Sequence, residues 1–104
     1  MKKINELTII STRWFDKTYG NTYHSCRVLI DNKEIGVVDF TYGYDEMYIQ
    51  TALEILKSND YLFDNVNELK RFISNNKDSA VIYCKDVKRK KDMGKYMENY
   101  YGAQ

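Results

Sequence analysis

Two side chains suited to acid–base, nucleophilic or metal-binding chemistry stand close together in this sequence. His24 is the only histidine, and Cys26 follows two positions later in a stretch typical of a β-strand. Residues two apart on a strand lie on the same face. An imidazole beside a thiol fits a thiolate–imidazole pair or two ligands of a metal site. The sequence offers no third ligand nearby, so we expect a partly buried histidine beside a core cysteine. Cys26 and Cys84 are expected to be buried free thiols.

The sequence lacks the short motifs that mark many enzyme sites. It contains no Gly-x-Gly-x-x-Gly, Walker A, Cys-x-x-Cys or Gly-x-Ser-x-Gly pattern. We therefore expect a protein that is not an enzyme, with no catalytic residue, no metal and no cofactor. Asp39 lies in an apolar stretch, and we expect it to form a cross-strand ion pair with Arg27 or Arg13.

Aromatic and basic side chains supply the candidate binding residues. Aromatic residues surround the first predicted hairpin and flank Gly43. Such side chains dominate protein interfaces and also stack on nucleic-acid bases. A basic cluster lies at the start of the predicted last helix, where cations oppose the helix dipole, which indicates an anionic partner. The candidate residues are Trp14, Tyr19, Tyr42, Tyr44, Lys88, Arg89, Lys90 and Lys91.

The length and net charge of the chain limit the classes of protein to which it can belong. The 104 residues fit one domain, spanning 1–104, and the 43% hydrophobic content is typical of a globular chain. The net charge of +1 gives no overall field to steer a polyanion, although residues 85–104 hold six basic and three acidic side chains. No apolar run approaches the length of a membrane span, and no secretory signal is evident. We expect a cytoplasmic protein that does not bind membranes.

The elements that must position these residues form an α+β pattern in the order β-β-β-α-α-β-α. Alternating β-branched and aromatic residues predict strands over 7–15, 22–31 and 35–40, joined by polar turns. Two successive hairpins make an N-terminal antiparallel meander. Gly36 is expected at a bulge or a close backbone approach.

Helical periodicity predicts the remaining elements. One helix begins after Asp45 as N-cap and runs to residue 58, and a second spans 66–75 with the capping-box spacing of Asn65 and Glu68. A strand over 79–84 precedes a last helix over 87–100, capped by Asp86. The position of the last strand in the sheet stays open, as does the packing of the last helix within the chain or across a homodimer.

One segment resembles small, mostly uncharacterised proteins of bacteriophages and prophages. The shared features are the Trp14-Phe15 pair, the run Tyr-Gly-Asn-Thr-Tyr-His over 19–24, and the Tyr-Gly-Tyr segment over 42–44 followed by a helix that includes 50–53. The resemblance covers residues 10–58. It implies a mobile-element origin and a host-cell setting, but no site residue, because no established activity accompanies the family.

These observations favour a phage-type accessory protein that binds a host protein or nucleoprotein complex. Its most concrete form is an anti-defence inhibitor resembling anti-CRISPR proteins, by analogy with other small phage proteins. The alternative is a module that binds nucleic acid directly through the basic cluster and the exposed aromatic residues.

Overall fold

The computed structural model describes residues 3–93 and shows two helices packed on a mixed four-stranded sheet. This architecture confirms the α+β class. The sheet order is β3-β2-β1-β4. The elements are β1 (Leu7–Asp16), β2 (Asn21–Ile30), β3 (Lys33–Tyr42), α1 (Met47–Ser58), α2 (Val66–Asn75) and β4 (Ala80–Val87), followed by a 3₁₀ turn at Lys90–Asp92.

The first three strands form the predicted antiparallel meander. β1 pairs with β2 along its full length, from Leu7 opposite Ile30 to Asp16 opposite Asn21. β2 joins β3 through a two-residue turn in which Asp31 and Asn32 both have positive φ, 52° and 69°. Aspartate and asparagine tolerate this conformation, and the turn matches the twist of the two strands.

The sequence left the position of the last strand open, and the structure places it beside the first. β4 pairs in parallel with β1, from Leu7 opposite Ala80 to Trp14 opposite Val87. A parallel connection needs a long crossover. The two helices between β3 and β4 supply it. The sheet is therefore mixed, and β3 and β4 are its two edge strands.

The core lies between the helices and one face of the sheet, which we call the helix face. Ile9 of β1 and Val28 of β2 point to this side and are fully buried against Ala52 and Leu56 of α1. The predicted alternation in β2 is confirmed, because His24, Cys26, Val28 and Ile30 share this face. Gly36 lies next to a register shift, and a Cβ there would come within 2.6 Å of Cγ2 of Ile55.

The predicted N-cap of α2 is confirmed, whereas the predicted N-cap of α1 is not. Asn65 caps α2 as predicted, since its side chain accepts a hydrogen bond from the Glu68 amide. The prediction that Asp45 caps α1 is wrong. The residue before α1 is Glu46, which makes no side-chain cap. Asp45 has a φ of 57°, and its carbonyl accepts a hydrogen bond from Arg13.

The predicted start of the last helix is also wrong. β4 continues to Val87, and Asp86 lies within it, bonded to Arg13 of the neighbouring strand rather than capping a helix. The local pattern after residue 84 was therefore overridden by pairing with β1. The rest of the predicted helix, residues 94–100, lies outside the described residues. No helix in the part of the chain that is described is long and apolar enough to cross a membrane.

The opposite side of the sheet, which we call the far face, is also partly covered. Ile10, Thr12, Ser25 and Leu29 point to this side and are buried. The segment after β4 turns onto it, because the Thr12 hydroxyl donates a hydrogen bond to the Met93 carbonyl and Met93 is itself buried. This turn carries the basic residues across the far face.

Candidate binding surface

Four aromatic side chains meet at one end of the far face, and we call them the aromatic row: Trp14, Tyr23, Phe40 and Tyr42. The register places Trp14 opposite Tyr23 and Tyr23 opposite Tyr42. The rings of Tyr23 and Phe40 are stacked with centroids 4.5 Å apart, and Trp14 lies 6.0 Å from Tyr23. Tyr42 meets Tyr23 edge-on at 5.9 Å. These separations are those of attractive aromatic pairs.

The outer part of the aromatic row is open to solvent. Phe40 is 40% exposed and Tyr42 is 54% exposed, although both belong to regular strand structure. Both lie on β3, which has no neighbouring strand on its outer side among residues 3–93. Rings held rigidly by their neighbours lose little side-chain freedom on binding, so they are suited to a contact surface.

The basic segment, Lys88–Lys91, runs beside this row. The ammonium group of Lys90 lies 4.6 Å from the centroid of the Phe40 ring, a cation–π contact. Phe40 belongs to one edge strand, and Lys90 follows the other. The chain therefore crosses the far face after β4 to bring them together. One surface thus combines stacked rings with a cluster of cations.

The structure brings together only some of the residues predicted from sequence. Trp14, Tyr42 and Lys90 meet through Tyr23 and Phe40. Lys88, Arg89 and Lys91 are exposed on the same segment, and Arg89 is held by Asp92 at 2.8 Å. Tyr19 is exposed in the first hairpin turn, and Tyr44 lies beside the start of α1 with Met47 and Val66, so neither belongs to the aromatic row.

The sequence interpretation missed Tyr23 and Phe40 as candidate contact residues. Strand alternation places Trp14 and Tyr23 on one face, and the register of the first hairpin would have paired them. Phe40 is harder to place, because a register shift between His24 and Cys26 intervenes before it. A bulge moves the following side chains relative to a regular ladder.

His24 is buried beneath the start of α1. It is 1% exposed, and its two ring nitrogens lie 3.1 Å from the Gly43 carbonyl oxygen and 2.7 Å from Oγ1 of Thr51. A carbonyl only accepts, so Nδ1 donates to Gly43 and Nε2 accepts from the Thr51 hydroxyl. Burial lowers the pKa of His24, against the opposing effect of the Gly43 carbonyl. The imidazole is therefore neutral near pH 7.

The two cysteines are free thiols on the helix face, as expected; Cys26 is buried, whereas Cys84 is only half-buried. Ser11 of the central strand pairs with both Cys26 and Cys84, so two interstrand spacings, roughly 9–10 Å, separate their backbones. A disulfide requires a Cα separation below about 7 Å. Burial raises the pKa of Cys26 to about 12 and also raises that of Cys84. Within residues 3–93 no group of three or more His, Cys, Asp or Glu side chains is arranged to hold a metal ion.

The predicted ion pair of Asp39 is wrong. Arg27 pairs with Glu34 at 2.8 Å, and Arg13 pairs with Asp86 at the same distance. The two register shifts between β2 and β3 displace Asp39 from the ladder position that the prediction assumed. Arg13 also donates to the Asp45 carbonyl, and so ties β4, β1 and the loop before α1 together.

Comparison of the chain with protein-family models, with curated proteins and with solved structures finds no match.

Proposed function

We propose that this chain is a non-enzymatic binding protein whose contact surface is the aromatic row together with the basic segment. The observation that carries this proposal is a pair of exposed rings beside Lys90: Phe40 is stacked on Tyr23, and Tyr42 packs edge-on against Tyr23. The partner we favour is a host protein or nucleoprotein complex. The phage-protein resemblance of residues 10–58 supports that setting, with an anti-defence inhibitor as its most concrete form.

The energetics of protein interfaces support this choice of surface. Interface hot spots are enriched in tryptophan, tyrosine and arginine, and each costs about 2 kcal/mol or more when truncated. Tyr42 offers a large contact area on an already ordered strand, and its ring packs edge-on against Tyr23. The neighbouring cations complement an acidic patch and speed the encounter with a partner of opposite charge.

A direct nucleic-acid contact is the second candidate, and the Lys90–Phe40 contact is the observation that favours it. Proteins that bind single strands combine aromatic stacking platforms with a basic path for the backbone. Phe40 and Tyr42 would stack on bases, and Lys88, Lys90 and Lys91 would contact phosphates. Each stacked base contributes about 1–3 kcal/mol by alanine substitution.

Affinity capture from a host-cell lysate tests the first candidate. The wild-type chain should retain one protein or nucleoprotein complex, and the Phe40→Ala/Tyr42→Ala double variant should lose it. Both side chains are partly or largely exposed, so their removal should leave the fold intact, which circular dichroism checks. Equal capture by the two chains would refute the assigned surface.

A fluorescence titration with a single-stranded oligonucleotide tests the second candidate. Trp14 is the only tryptophan, so its emission reports directly on the aromatic row. Direct binding should change that emission, weaken with added salt, and lose about 0.7 of the logarithmic salt slope in Lys90→Gln. An unchanged spectrum at low salt would eliminate this candidate.

A further inference from the structure

A concave site lies at the other end of the molecule from the aromatic row, beside α2. We call it the distal pocket, and its volume is about 410 Å³. Ile4, which precedes β1, lines it, whereas Trp14 of the aromatic row lies near the far end of that strand. Its walls are lined by Lys3, Ile4, Tyr61, Leu62, Phe63, Glu68, Arg71, Phe72 and Asn75.

The walls of the distal pocket are aromatic and held in place. The rings of Phe63 and Phe72 pack edge-on with centroids 5.5 Å apart. The loop before α2 is fixed at both ends, since the Tyr61 amide donates to the Leu56 carbonyl and the Asp64 amide donates to the Glu68 carboxylate. A preformed apolar cavity of several hundred Å³ is typical of a site for a small molecule.

Leu62 marks the opening of the pocket. It is 62% exposed, although Tyr61 and Phe63 on either side of it are buried. An exposed leucine between two buried aromatic residues leaves apolar surface at the entrance, which a bound apolar group would cover. Each Å² so covered is worth about 25 cal/mol.

The charged side chains of the distal pocket indicate which polar group a bound molecule would carry. Lys3 and Arg71 both line the pocket, and the ion pairs seen among the described residues do not involve either of them. Glu68 also lines the pocket, and its carboxylate accepts a hydrogen bond from the Asp64 amide; two cations and one carboxylate leave the wall with a net charge of +1. An apolar cavity with two cations at its wall complements an apolar molecule that ends in one negative group, and arginine binds carboxylates with two parallel hydrogen bonds.

We propose that the distal pocket binds a small amphipathic carboxylate, with its apolar chain between Tyr61, Phe63 and Phe72 and its carboxylate at Arg71 and Lys3. This site is separate from the aromatic row, so it stands or falls independently of the proposed partner surface.

Titration with decanoate below its micellar concentration, followed by NMR of the folded chain, tests this proposal. Decanoate should shift the ring resonances of Tyr61, Phe63 and Phe72 in a saturable manner, and leave those of Trp14 unchanged. Decan-1-ol and decyltrimethylammonium, which have the same chain length without the negative charge, should bind at least about tenfold more weakly, since a charge-assisted hydrogen bond contributes more than a factor of ten.

Two variants on the same helix provide the matched comparison. Arg71→Gln should weaken decanoate binding about tenfold. Lys70→Gln, which removes an equal charge from the neighbouring residue bonded to Glu46, should bind decanoate as the wild type does. Equal binding of decanoate and decanol, equal loss in the two variants, or no shift at the pocket rings would overturn the proposal. So would binding of a peptide with a free C-terminal leucine carboxylate in the absence of decanoate binding.

Discussion

His24 should make the fold lose stability as the pH falls through the range where a free histidine titrates. The folded state holds the imidazole neutral between Gly43 and Thr51, and burial lowers its pKa below the ordinary value of 6.5. The unfolded chain binds a proton near pH 6.5, and the folded chain does so only at lower pH. Protonation therefore favours the unfolded state, and the stability that is fully present above pH 6.5 declines below it.

The size of the effect follows from the linkage between protonation and folding. Titration of the unfolded chain at its ordinary pKa of 6.5 sets the upper bound: the free energy of unfolding falls by at most about 1.4 kcal/mol between about pH 7.5 and pH 5.5. With urea m-values of about 1–3 kcal/mol/M, the unfolding midpoint should drop measurably, by no more than roughly 0.5–1.4 M. Urea titrations followed by Trp14 fluorescence measure this shift.

His24→Gln is the matched control. Glutamine keeps an amide that can donate to Gly43 and accept from Thr51, but it does not titrate in this range. The variant should be less stable than the wild type at about pH 7.5, by about 1–3 kcal/mol, and nearly independent of pH down to about 5.5. NMR gives a second readout, because the single imidazole should titrate at lower pH in the folded chain than in the unfolded chain. A variant as pH-dependent as the wild type, or an imidazole titrating near 6.5, would refute the reasoning.

Two further substitutions test how the sequence specifies the fold. Gly43→Ala would place a Cβ 2.7 Å from Cε1 of His24, and should lower the free energy of unfolding by about 1–3 kcal/mol; unchanged stability in urea would contradict this close contact. Asn65→Ala removes the cap that accepts a hydrogen bond from the Glu68 amide, and should lower the free energy of unfolding by about 1 kcal/mol. Asn67 is exposed on the first turn of the same helix, so Asn67→Ala should lower the free energy of unfolding by less. Equal thermal midpoints for these two variants would argue against the cap.

Most strands and helices could be predicted from the sequence because the residues that specify them are close together in the chain. The alternation along β2 and the polar pair Asp31-Asn32 fix a hairpin without reference to the rest of the chain. The Asn65–Glu68 spacing likewise marks a helix start that needs only adjacent residues. Such elements are predictable because propensity and tertiary structure agree.

The errors occur where distant residues decide the local structure. Asp86 and Val87 are extended because they pair with Arg13 and Trp14, more than 70 positions earlier. Nothing local distinguishes them from the start of a helix. The same applies to the candidate surface, since the contact between Lys90 and Phe40 depends on which edge of the sheet β4 occupies.

Only some of the residues of the candidate surface could therefore be predicted from the sequence. The sequence identified Trp14 and Tyr42 as candidate contact residues, but it also selected Tyr44, which lies two residues beyond Tyr42 and outside the aromatic row. Tyr23 required knowledge of the hairpin register, and Phe40 required knowledge of the bulge. The structure thus shows which of the aromatic residues lie together on one surface.

The most direct test of this surface compares two neighbouring tyrosines against the captured partner. Tyr42 is 54% exposed within the aromatic row, and Tyr44 is 59% exposed outside it, so their removal should perturb the fold equally little. Isothermal titration calorimetry should show Tyr42→Ala weakening the dissociation constant by about 30-fold, the loss typical of a hot spot, with less than about a threefold change for Tyr44→Ala. Equal effects of the two substitutions, or a larger effect at Tyr44, would contradict the account.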